Sequence, residues 1–243
     1  TPTAALLARG SWASQGQFFR RALPHAARQE GDIQVFSPPP RDGPGSILHC
    51  APCEGLHLSW SELFPRRVIR SKYTLPYRRI ELFLTESGNL AMTRNGVGSW
   101  PVQKGVGLFC CEGAAGQFLM RPGEPARVLN LMLKERYIRL LERRYGSGDF
   151  SFSGCKGWGF EALNSALPTR ILLQLKQSLL RRQISPMYCE GKVAELLAVL
   201  GCAHQQQKEA LPVSHSDLAA LTRVRDAIIA DLRHPPDLEA LCV

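Results

Sequence analysis

Histidine is scarce in this chain. There are six, and none falls between positions 60 and 200. That gap excludes a metal centre built on imidazoles over the middle of the sequence. Also missing are a Gly-x-Ser-x-Gly elbow, a Gly-x-Gly-x-x-Gly turn and a P-loop. Acyl transfer, dinucleotide binding and nucleotide hydrolysis thus lose their usual signatures. No long apolar run is present. "AELLAVLGCA" (194–203) reaches only about half of what a membrane-spanning helix requires. The opening "TPTAALLARG" has no charged stretch ahead of an apolar one, so no secretory leader is expected. A cytoplasmic protein without a membrane partner is the expectation.

What is present is enough for a globular core. Of 243 residues, 44% are hydrophobic, which argues against wholesale disorder. The net charge of +9 favours anionic partners, although a basic balance also serves simple solubility. Eight cysteines stand at 50, 53, 110, 111, 155, 189, 202 and 242. They do not read as a disulfide framework, and a chain of this length does not need one. Reduced thiols are expected.

The pattern changes twice along the chain. Residues 1–45 are weakly patterned, with a possible short helix at 13–21, and close on the Pro/Gly-rich "SPPPRDGPG", an irregular linker. From 46 to 133 the sequence is β: "RVIRSKY", "RRIELFLT", "GVGLFCC", "GQFLMRPGEP" and "ARVLNLMLK" are short runs rich in β-branched and aromatic residues. Ser87-Gly88-Asn89 and Asn95-Gly96 supply turns, the latter suited to a tight hairpin. Many short strands at this spacing point to an antiparallel barrel or jelly roll.

After 133 the period becomes helical. "KERYIRLLERRYG" places Tyr137, Leu140 and Leu141 on one side. "PTRILLQLKQSLLRR" and "YCEGKVAELLAVLGCAHQQQ" follow as a helical hairpin. Val193, Leu196, Leu197 and Leu200 obey the i, i+3, i+4, i+7 rule. That stripe would either pack on the β region or pair two copies of the chain in a homodimer. A last long helix runs from Ser214 to about Arg233 before Pro235 and Pro236. Asp237 then caps a further helical start, Leu238 to Val243.

"HSDLAALTRVRDAIIADLRHPPDLEALCV" resembles the junction that opens the DNA-binding domain of AraC-type transcription regulators. Leu238, Leu241 and Cys242 take the places of a Leu-x-x-Leu-Ala pattern, with Cys where Ala is usual. Over roughly 70–243, "GNLAMTRNG", "EGAAGQFLMRPGEPARVLNLMLKERYIRLLERRYG" and "EGKVAELLAVL" are similar to the sensor region of siderophore-responsive members of the pyochelin and alcaligin type. The resemblance implies an α+β chain: a cupin-like antiparallel β-barrel (jelly roll) at 46–133, a helical dimerisation region at 134–212, a linker helix at 213–234, and at 235–243 the start of a truncated helix-turn-helix domain. It implies a non-enzymatic regulator. A ferric siderophore would be the effector, and no cofactor would be required. Promoter DNA would be reached only through the missing C-terminal domain, since no recognition helix lies within this chain. Cupin enzymes use a His-x-His pair with a later Glu and His, and the histidine gap counts against one here. The alternatives are a regulator controlled by a protein partner or by thiol or metal chemistry, or a cupin-like enzyme.

Two constellations carry possible chemistry. His49, Cys50, Cys53 and His57 have the residue types and spacing of zinc ligands, although a lone Cys-x-x-Cys also serves as incidental loop thiols or a redox pair. The run Arg66, Arg67, Arg70, Lys72, Arg78 and Arg79 contains no acid. Alternation would put Arg66, Arg70 and Lys72 on one face. With Arg78, they could grip a carboxylate- or catecholate-bearing ligand, because guanidinium offers a planar fork. Tyr73 and Tyr77 would stack on it, and Trp60 and Trp100 would wall the pocket. A solvated outer face is the competing reading.

Overall fold

A computed structural model describes residues 27–75, 79–95, 98–111, 114–145, 160–162 and 166–209, and position 224. The chain divides into two compact units, 1–202 and 203–243. The architecture below is that of the first. The expected helix at 13–21, the linker helix apart from helical Val224, and 235–243 lie outside the described residues.

Among the described residues twelve strands form two antiparallel sheets. β1 (Ala27–Glu30), β2 (Ile33–Phe36), β3 (Gly45–Cys53), β4 (Leu56–Leu63), β6 (Arg79–Ser87), β9 (Gly105–Cys111), β11 (Ala126–Lys134) and β12 (Phe160–Ala162) make an eight-stranded sheet. Its order is β1-β2-β3-β4-β11-β6-β9-β12. β5 (Ile69–Leu75), β7 (Asn89–Arg94), β8 (Gly98–Pro101) and β10 (Ala114–Arg121) make a four-stranded sheet, order β5-β10-β7-β8. Among the described residues strands are thus present from Ala27, ahead of the expected 46. The segment at 1–45 was hard to read because β1 and β2 are only four residues long, too short for alternation to stand out.

The turn residues act where their chemistry directs. Gly88, at φ +127°, carries the chain from β6 in one sheet to β7 in the other. A Cβ there would lie 2.9 Å from the Ala126 backbone. β7 and β8 pair antiparallel on either side of Asn95-Gly96. The Pro/Gly-rich stretch before β3 is anchored by buried Asp42, which accepts a hydrogen bond from Arg67 Nε at 2.6 Å.

Three helices follow: α1 (Glu135–Tyr145), α2 (Ala166–Leu180) and α3 (Pro186–Glu209). The α+β class is thus as expected. In α1 the buried residues are Tyr137 and Ile138, whereas Leu140 is exposed. α2 ends where Arg182 takes a left-handed φ of 60°. Gln183 N then donates back to Ser178 O at 3.0 Å, satisfying a carbonyl the helix leaves open.

Alternation along the central strands creates two cores. Leu58 and Trp60 of β4, Ile80, Leu82 and Leu84 of β6, and Leu129, Leu131 and Leu133 of β11 share a cluster with Ile171, Leu172, Leu175 and Leu179 of α2 and Val193, Leu196, Leu197 and Leu200 of α3. Residues of opposite parity, including Leu63, Phe109 and Ala126, meet Tyr73, Leu90, Met92 and Met120 from the small sheet in a second cluster. The large sheet is thus sandwiched, helices on one face and the small sheet on the other. The four residues expected to join two copies are buried inside one: Val193 and Leu196 are fully enclosed and Leu197 and Leu200 nearly so. Their stripe is used against the sheet because leucines of β6 and β11 offer it a continuous apolar surface. Exposed large apolar side chains described on these helices are instead Leu167, Leu173 and Leu180 of α2 and Met187 and Tyr188 of α3.

Candidate functional site

The inner face of the large sheet, toward the small one, is unusually polar for a buried surface. Register aligns its side chains in rows. One row runs Gln34, His49, Ser59, Asn130, Phe83 across β2, β3, β4, β11 and β6. The next runs His57, Met132, Glu81, Phe109. Arg79 stands opposite Lys134 in the third. Buried polar groups are tolerated when they are bonded to one another. Here Asn130 Nδ2 donates to Glu81 Oε2 at 3.0 Å, and Arg79 Nη2 forms a buried ion pair with Glu81 Oε1.

Between the sheets lies a cavity of about 110 Å³, lined by Ser61, Leu63, Tyr73, Arg79, Glu81, Phe83, Leu90, Met92, Phe109, Phe118, Met120, Ala126, Val128 and Asn130. Its walls are apolar and aromatic. Its polar contribution comes chiefly from Arg79, Glu81 and Asn130, the arrangement usual for small-molecule sites. Tyr73 is fixed in the wall because its hydroxyl donates to Thr93 O at 2.8 Å. Gly116 leaves room for that ring: a Cβ there would come within 2.6 Å of the Tyr73 oxygen.

The sequence-expected ligand residues separate. Tyr73 lines the cavity. Arg66, Arg70 and Lys72 are exposed and outside it. Arg70 and Lys72 flank inward Ser71 on β5, so alternation turns them to solvent, and Arg66 precedes the strand. Trp60 is buried on the opposite face of β4, where Lys176 of α2 lies 3.9 Å from its ring centroid. Tyr77 and Arg78 lie outside the described residues, and Trp100 is described only by its backbone pairing with Met92. The basic run therefore splits: Arg67 is held by Asp42, and among the described members Arg79 alone turns into the cavity.

The zinc-like constellation divides as well. His49 and His57 stack at 5.5 Å between ring centroids, 12° from parallel. Cys50 is buried in the helix-side cluster, and Cys53 packs against it. The His and Cys side chains therefore leave β3 and β4 on different faces. Among the described residues no group of three or more His, Cys, Asp or Glu side chains is gathered as a metal site. Burial lowers the His49 pKa to about 4, with Lys134 adding to the effect. Burial, then His49, Lys134, Arg136 and Arg79, lowers His57 to about 3. Burial pushes Cys50 and Cys53 up to about 12 and Cys189 to about 11. Neutral thiols are poor nucleophiles and poor metal ligands.

Glu81 and Asn130 were not anticipated from the sequence. Their signal was the alternation Arg79, Glu81, Phe83, Thr85 against Ile80, Leu82, Leu84. It reads equally well as a solvent-facing edge.

No protein-family profile matches the sequence, and no curated protein does. Among solved structures, the AraC-like transcriptional activator CuxR aligns with 87% of this chain and 74% of its own, at 12% identity and a TM-score of 0.47. ToxT from Vibrio cholerae aligns over 78% and 70%, at 12% identity and a TM-score of 0.43. A Cupin 2 conserved barrel domain protein from Salinispora arenicola covers 50% of this chain and 92% of its own, at 13% identity and a TM-score of 0.31. Among the described residues no helix is long and apolar enough to cross a membrane.

Proposed function

We propose that this chain is the effector-binding region of a non-enzymatic transcription regulator of the AraC type, with a small molecule entering between the two sheets. The junction-like sequence at 215–243 supports the regulator reading. The observation that carries the sensor reading is the double use of β4, β6 and β11. One face of these strands lines the cavity and the other packs on α2 and α3. A ligand that prefers one arrangement of the inner face shifts the population of arrangements of the helices behind it. DNA would be bound by a domain attached beyond the junction.

The finer expectation of a ferric siderophore belongs to the test. An iron chelate of that kind is larger than a cavity of about 110 Å³, so its entry would require the sheets to part. Control by oxidation of Cys50, Cys53 or Cys189 is disfavoured by their raised pKa values. Self-association, if it uses these helices, would engage exposed Leu173, Leu180 and Met187.

Titration with a chemically diverse panel, followed by tryptophan fluorescence and thermal shift, tests the reading. Saturable change with a small apolar compound, abolished by Phe109→Trp filling of the cavity, is expected. No saturable binding across the panel, with a partner protein purified in stoichiometric complex, would replace the sensor with a protein-controlled regulator.

A further inference from the structure

Arg79 is the exceptional residue of the cavity. Its side chain is only 9% exposed. One nitrogen, Nη2, is used by Glu81. Nε and Nη1 are buried and have no hydrogen-bond partner. A guanidinium donor left unsatisfied in a buried site is costly, so such groups are normally matched by an acceptor. Glu81 Oε2 accepts from Asn130, and Oε1, ion-paired with Arg79 Nη2, makes no hydrogen bond.

The local charge points the same way. On the inner face of the large sheet the described acidic and basic side chains are Arg79, Glu81 and Lys134, beside two histidines held neutral by burial. Arg79 and Lys134 stand directly opposite in register, an arrangement of like charges that is unfavourable on its own. Arg79 and Glu81 of this group are buried, and Lys134 is partly so. An incoming carboxylate supplies strong acceptors for the two buried Arg79 donors, and a neutral ligand supplies weaker ones.

The remaining walls set the body of that ligand. Phe83, Phe109, Phe118 and Met92 offer aromatic and thioether surface, suited to a ring or a short hydrocarbon. The volume limits it: a dry cavity of comparable size, about 150 Å³, accepts benzene.

We propose, resting on the sensor reading above, that the effector is a small amphipathic monocarboxylate, its carboxylate on the free N–H groups of Arg79 and its apolar body among Phe83, Phe109, Phe118 and Met92. Of the described members of the basic run, Arg79 takes part in recognition and the exposed Arg66, Arg67, Arg70 and Lys72 do not.

Benzoate and its neutral isostere benzamide are the probes, measured by calorimetry on the full 243-residue chain. Benzoate is expected to bind at least about tenfold more tightly than benzamide, because hydrogen bonds to a charged acceptor are the stronger ones. Arg79→Met should erase that preference, and Arg79→Lys should keep part of it. Because Arg79→Met leaves Glu81 buried without its cation, the double variant Arg79→Met/Glu81→Gln is measured beside it and should show the same lost preference. Equal binding of the two probes by the unaltered protein would overturn the carboxylate assignment, as would a benzoate preference surviving in the double variant. If neutral members of a wider panel bind while carboxylates do not, the ligand class is wrong and the sensor reading stands. If nothing binds, both fall.

Discussion

His49 and His57 stack in parallel, 5.5 Å apart, inside the protein. Both are held neutral, with pKa values near 4 and 3. In the unfolded chain a histidine titrates near 6.5. The unfolded state therefore binds more protons between the folded and unfolded values, and stability rises with pH there. The stabilisation is fully present above about pH 6.5 and is lost progressively as pH falls toward 4. Each histidine contributes a slope of up to roughly 1.4 kcal/mol per pH unit over that range. Urea denaturation at pH 7.5, 6 and 5 should show it, and His49→Gln/His57→Gln should flatten it. A pH-independent midpoint in the parent protein would contradict the burial of the pair.

Gly116→Ala should be strongly destabilising. The added Cβ would lie 1.9 Å from Thr93 O and 2.6 Å from the Tyr73 oxygen, and Tyr73 cannot yield without losing its bond to that same carbonyl. A loss of about 1–3 kcal/mol is expected from overpacking of this kind. Gly123→Ala has open space but a φ of +110°, so its cost should come from backbone strain alone. Melting temperatures of the two variants compare the effects.

Leu196→Ala should lower stability by roughly 2–5 kcal/mol, as truncations of buried leucines do. The loss should be independent of protein concentration, because the side chain packs within one chain. Leu173→Ala, on the exposed side of α2, should change stability by no more than about 0.5 kcal/mol. If Leu196→Ala instead leaves the unfolding midpoint unchanged and halves the mass in sedimentation, the residue belongs to an interface after all.

Lys176→Gln should loosen α2 from the sheet. Its ammonium sits over the Trp60 ring and pairs with Glu86. Cation–π contacts are worth about 0.5–2 kcal/mol, so a cost of about 1 kcal/mol is expected, with a shift of the tryptophan emission. Glu86→Gln should reproduce less of the effect, since it leaves the ring contact in place.

Cys50, Cys53 and Cys189 should resist alkylation in the native protein at pH 8. Their thiols are held protonated by burial, with Glu190 reinforcing the effect at Cys53 and Cys189. Mass-mapped iodoacetamide labelling should modify them only after denaturant is added. Rapid native labelling of Cys53 would restore a thiol-based reading of this corner.

The sequence by itself determined which residues share a face. The period of two in "RRIELFLT" and "ARVLNLMLK" separates Ile80, Leu82 and Leu84 from Arg79, Glu81 and Phe83, and Leu129 and Leu131 from Asn130. It also determined the change to helices after 133 and the apolar stripes of α2 and α3. It could not say where each face would point. Polar residues alternating with leucines read as a surface strand, and Arg70 and Lys72 do turn to water. Arg79, Glu81 and Asn130 are buried instead because the leucine face is taken by α2 and α3, and the four-stranded sheet closes over the other. The same placement sent Trp60 beneath a helix and parted His49 and His57 from Cys50 and Cys53. A strand's alternation is local chemistry. Which neighbours cover its two faces depends on contacts distant in sequence, such as Asn130 with Glu81 and Lys176 with Trp60, and only the tertiary structure decides those.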